Sequence, residues 1–187
     1  MSNLTIYLIS LSVMITVSIL VLRVFVRRDY LRRGCLSIGS AALQTLVFFA
    51  FGGFPSIYHP GDWQVSQVNL PLRVIGLTSL STGLVIMFIG IFRLGLLRSL
   101  GLQTGELKET SCYQASRKSQ VLGCVLYVLR FMVLWPSWYA LGWGLSLIAI
   151  LHLMVLTEEE HLRNTYRQNY ILYCKRVPRY LGYPKNS

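Results

Sequence analysis

The stretch "FMVLWPSWYALGWGLSLIAILHLMVLTEEEHLRNTYRQNY", residues Phe131 to Tyr170, decides the reading of the fold. Its first 27 residues, through Thr157, carry no charge. Pro136 interrupts them, and proline cannot continue a helix because it lacks the N–H and clashes with the preceding turn. Two helices, near 120–135 and 138–156, therefore form a tight hairpin around "WPSW". Three adjacent glutamates, Glu158 to Glu160, close the second helix, although the chain holds only 7 acidic residues against 18 basic ones.

The same pattern recurs upstream. Leu4–Leu22 and Val74–Phe92 are uncharged windows of 19 residues each, and Ser37–Tyr58 is one of 22. About 20 apolar residues cross a bilayer core. With 53% hydrophobic residues, 13% charged ones and a mean hydropathy of +0.51, the 187-residue chain is excluded from the ordinary soluble classes. The expectation is an all-α integral membrane protein of about five transmembrane helices, near 4–26, 37–54, 71–92, 120–135 and 138–156. It ends in a helical hairpin and a cytoplasmic amphipathic tail. The first run has no basic residue before it and is followed by "RVFVRRDYLRR" rather than a small-residue cleavage site, so it reads as a retained anchor. Residues 1–92 form an N-terminal three-helix region, and 93–187 hold the longest polar stretches.

Charge sets the orientation. Residues 23–33 carry five basic residues, 93–118 five, and the tail from Arg163 six, leaving only Arg73 and Arg130 for the other side. By the positive-inside rule those three segments are cytoplasmic and the N-terminus is outside, as in a multi-pass protein of a bacterial inner membrane. The net charge of +11 is then topology and attraction to anionic lipid, and no basic stripe interleaved with aromatics points to nucleic acid. Cys35, Cys112, Cys124 and Cys174 show no paired spacing, and His59, His152 and His161 match no metal-ligand pattern. Arg130 reads as snorkelling near the hairpin turn, and His152 as hydrogen-bonded within the bundle. Gly76, Gly83 and Gly90 repeat every seven residues, which close helix packing explains without a ligand.

The hairpin brings the polar segment before residue 120 beside the glutamates that follow residue 157. A helix N-terminus offers free N–H groups to a carboxylate, and carboxylates opposite would take an ammonium. That combination suits a zwitterionic, water-soluble cofactor serving a lipid-soluble substrate.

"TSCYQASRKSQVLG" (110–123) and "EEEHLRNTYRQNYILYCKRVPRYL" (158–181) resemble the "TGxYxxxRHPxYxG" and "EExxLxxxFGxxYxxYxxxVPRxL" patterns of one family. It is that of the integral-membrane methyltransferases of the isoprenylcysteine carboxyl methyltransferase and phospholipid N-methyltransferase kind. "GELK" (105–108) and His152 resemble a bacterial branch. The likeness spans roughly residues 93–182, and its second motif is the more specific. It implies S-adenosylmethionine as cofactor, bound by Tyr113, Lys118, Ser119, Gln120, Gly123, Glu158, Glu159, Tyr170 and Tyr173. Arg117 or Arg176 would orient a lipophilic, carboxylate- or amine-bearing methyl acceptor. Glu160 has no counterpart and reads as solvated.

The chain departs from the pattern at Lys118-Ser119 for His-Pro, Val121 for Tyr, Ser111 for Gly and Arg167 for Gly. Ser119 is expected to replace the proline as helix N-cap. The alternative class is a non-catalytic membrane protein on a degenerate methyltransferase scaffold. A NADPH-dependent sterol reductase of similar architecture has no motif in its favour.

Overall fold

The computed structural model describes residues 3–58, 68–95, 101–102 and 118–180. Among them every element is helical and no strand occurs. Helix α1 (Asn3–Leu20) runs through a π-helical turn (Val21–Val26) into α2 (Arg27–Arg33). Then follow α3 (Ile38–Tyr58), α4 (Leu70–Leu94), α5 (Ser119–Leu134) and α6 (Trp138–Arg176). Among the described residues four helices are long and apolar enough to cross a membrane, while α5 is shorter. Their outward surface is apolar: Val13, Phe49, Val85 and Phe92 are all exposed. A water-soluble bundle would place charge there, so the surface is consistent with a membrane protein.

The hairpin forms where Pro136 requires it. Helix α5 stops at Leu134, and Ser137 caps α6 by accepting a hydrogen bond from the Ala140 N–H at 3.1 Å. Helix α1 overruns its expected end at 26 through the basic stretch to Arg33. Gly34 stops it, its φ of 73° being the left-handed conformation that glycine adopts without strain. Helix α6 runs on past 156 to Arg176, broken only at Arg167, whose φ of 44° and ψ of −116° are not helical.

Packing crosses the expected division at residue 92. Helix α4 packs along α5, with backbone against backbone at Gly83: a Cβ there would lie 2.8 Å from the Gly123 carbonyl oxygen. At Gly90 it would meet the Gln120 side chain at 2.6 Å, and at Gly76 the Leu134 side chain at 2.5 Å. The glycine heptad is thus a helix-contact stripe, as its spacing predicts. Helices α1, α3 and α6 share the main core around Leu22, Phe51, Trp143 and Val155. Within it the Trp143 indole donates to the Phe51 carbonyl at 2.8 Å, which satisfies the one polar atom of a fully buried ring.

The two ends of the bundle differ in kind. Tyr7, Phe54 and Tyr139 meet at one, where the Tyr7 hydroxyl donates to the Tyr139 carbonyl at 2.7 Å. Arg27, Lys118 and the three glutamates meet at the other.

Candidate functional site

Consecutive residues on an α-helix point about 100° apart. Glu158, Glu159 and Glu160 therefore leave α6 in three directions, and each meets a basic side chain from a different segment. Glu158 takes the Lys118 ammonium at the start of α5. Glu159 accepts two parallel hydrogen bonds from Arg179, at 2.9 and 2.7 Å. Glu160 accepts two from Arg27 of α2, at 2.9 and 2.6 Å. The run thus joins α5, the tail and α2 at one end of the bundle. Glu160, which the sequence reads as solvated, keeps 34% of its side chain exposed and in addition pairs with Arg27, because α1 continues as helix far enough to reach α6.

Glu159 is the most enclosed of the three, with 3% of its surface exposed. Such a carboxylate is costly to bury without charged donors, and the two-pronged guanidinium supplies them. In return, the hydrogen bonds from Arg179 to Glu159 hold that guanidinium's pKa above its ordinary value. The next residue, Tyr180, lies with its hydroxyl 2.7 Å from His152 Nδ1. Burial pushes that hydroxyl's pKa up. "VPRY" is therefore a strap that folds back over α6 and grips it at Glu159 and His152.

Tyr170 and Tyr173, expected at the cofactor, are buried with Val177 in a small apolar cluster that Leu162, Tyr166 and Cys174 complete. Their rings lie 6.2 Å apart. Arg176 stands exposed in the last turn of α6. Lys118, not Ser119, occupies the N-cap of α5 and makes no side-chain capping bond. Ser119 stands at the first helical position, which corrects its expected capping role. It is the position proline favours in helices generally, since its N–H has no partner within the helix. Gln120 and Gly123 face α4, where a Cβ on Gly123 would lie 2.7 Å from the Gly83 carbonyl oxygen. The role visible for both is helix packing. Tyr113 and Arg117 lie outside the described residues.

Three participants escaped the sequence reading. Tyr30 of α2 stacks on His161, with ring centroids 4.7 Å apart and planes within 14°. His161 is 5% exposed, its Nε2 has no hydrogen-bond partner among the described residues, and its Nδ1 lies 3.3 Å from Thr165 Oγ1. Arg27 is the third. No motif marks them, because each acquires its place only when α2 packs on α6.

Compared with known proteins, the chain matches no family model, no curated protein and no solved structure.

Proposed function

We propose that the protein is a membrane-embedded, S-adenosylmethionine-dependent methyltransferase acting on a lipid-like or prenylated acceptor at the cytoplasmic face. In this reading α5 is a fifth, short span, the N-terminus is outside, and the tail lies along the cytoplasmic surface of a bacterial inner membrane. The observation that carries it is the contact of Lys118 with Glu158, which joins the two segments that resemble the methyltransferase motifs.

The residues fit the cofactor's charges. Glu158 and Glu159 suit its ammonium, and the N-terminus of α5, where Lys118 makes no side-chain capping bond, is the kind of helix end that favours a carboxylate. Bound there, S-adenosylmethionine would supply an electrophilic methyl group. The chain's own work is alignment, for which well-oriented reactants gain roughly 7–11 kcal/mol in effective concentration. Arg176 or Arg117 would hold a carboxylate acceptor by a two-pronged contact. The strap, through Arg179, covers the Glu159 carboxylate, which is 3% exposed.

One observation favours a second reading, a non-catalytic membrane protein on this scaffold. Each of the three glutamates is already matched by a basic side chain of the chain itself.

Calorimetry of the purified protein with S-adenosylhomocysteine separates the two. The methyltransferase reading expects binding, weakened about 5- to 150-fold in Glu159→Gln through loss of about 1–3 kcal/mol from a charged hydrogen bond. Lys118→His should keep much of the affinity and Lys118→Ala lose it. No heat of binding selects the second reading, whereas wild-type affinity in both Glu158→Gln and Glu159→Gln would refute the assignment of the glutamates to the cofactor.

A further inference from the structure

Helix α2 and the first turns of α3 line an open cavity of about 310 Å³ at the basic end of the bundle. Arg28, Arg32 and Arg33 line it. All three are exposed, and Arg28 and Arg32 have no hydrogen-bond or ion-pair partner among the described residues. Helix geometry explains the division of labour. Arg27 and Tyr30, three apart, turn toward Glu160 and His161 on α6, whereas Arg28 and Arg32, four apart, share another face.

Ser37 and Ser40, at the start of α3, form the opposite wall. Asp29 also lines the cavity, but its carboxylate is occupied in holding α3. It accepts hydrogen bonds from the Ser37 N–H at 2.9 Å and from the Ser37 hydroxyl, and the charge of Arg33 acts on it. Three guanidiniums against one carboxylate leave the cavity electropositive. Away from this rim the lining becomes apolar. Phe25 stands about one turn before Arg28 and Leu43 about one turn after Ser40, so both lie toward the middle of the bundle.

We propose that this cavity binds the phosphate of an anionic phospholipid, with Arg28, Arg32 and Arg33 on the phosphate oxygens and an acyl chain along Phe25 and Leu43. Guanidinium forks match phosphate geometry, and Arg28 and Arg32 are free to turn toward it. A free phosphate ester would share the rim contacts but has nothing to lay against the apolar wall, so the bilayer is the source. The inference rests on residence in a membrane and is independent of methyl transfer.

The test is native mass spectrometry of the full chain, purified in neutral detergent and titrated with phosphatidylglycerol, phosphatidylcholine or glycerol phosphate. One phosphatidylglycerol should be retained about tenfold more tightly than phosphatidylcholine, since the two share the phosphate but the choline ammonium would face the guanidiniums as a like charge. Arg28→Gln with Arg32→Gln should abolish that preference. Arg163→Gln with Lys175→Gln, which removes the same charge from exposed positions on α6, should leave it within about twofold. Leu43→Ser should also weaken the lipid, and serves as the readout if the arginine double variant fails to fold. Equal losses in the two double variants, equal retention of the two lipids, or displacement of phosphatidylglycerol by equimolar glycerol phosphate would overturn the proposal.

Discussion

Arg179 reaches back twenty residues to Glu159 and holds both of its carboxylate oxygens, through Nε at 2.9 Å and Nη2 at 2.7 Å. The contact returns the chain onto α6 after Val177, and Tyr180 then meets His152, two helical turns above Glu159. It also bears on the proposed chemistry, because a cofactor ammonium at Glu159 would have to share the carboxylate with this guanidinium.

Arg179→Ala should release the strap. Trypsin should then cut after Lys175 and Arg176 several times faster than in the wild type, and thermal stability should fall by about 1–2 kcal/mol for the lost charged hydrogen bonds. Arg179→Lys should be intermediate, since an ammonium cannot reproduce the two-pronged geometry. Unchanged cleavage in Arg179→Ala would show that the tail is held elsewhere.

Arg167 carries the cost of its backbone. A φ of 44° with ψ of −116° is a conformation glycine adopts readily and other residues adopt under strain of about 1–3 kcal/mol. Arg167→Gly should raise the melting temperature by relieving that strain, with a net gain of about 1 kcal/mol after the extra entropy glycine loses on folding. A lower melting temperature would mean that the break in α6 is imposed by packing that the arginine side chain itself supplies.

The glycines of α4 and α3 should respond in opposite directions. In Gly83→Ala the new methyl meets backbone, the Gly123 carbonyl oxygen, and cannot be relieved by a side-chain rotation. A loss of about 1–3 kcal/mol follows, from overpacking. Gly52 of α3 has open space where a Cβ would go, so Gly52→Ala should gain about 0.5–1 kcal/mol through helix propensity. Thermal melts in detergent compare the two directly. Equal effects would argue that α4 and α5 do not touch at Gly83.

Single cysteines placed in a background without native cysteines test the arrangement across the membrane. Trp138, 85% exposed at the hairpin, and Lys175, exposed near the end of α6, should react with an impermeant thiol reagent from opposite sides. Labelling from one side would remove the basis for a cytoplasmic site.

The helices were legible in the sequence because they are local. Each uncharged run states a preference for apolar surroundings, and Pro136 and the glycine heptad act through their own backbone. The meeting of Lys118 with Glu158 was also foreseeable, since a hairpin with a three-residue turn leaves the far ends of its helices side by side. What only the tertiary structure decided is which charges meet across distant segments. Nothing near Glu160 names its partner, and it is α2, 133 residues earlier, that delivers Arg27 to it. Tyr30 and His161 carry no pattern that would pair them, and the π-helical turn at Val21–Val26 that precedes α2 leaves none in composition. An ion pair or a stacked ring is a relation between two surfaces, and its partners are set by how whole helices pack, which no window of sequence contains.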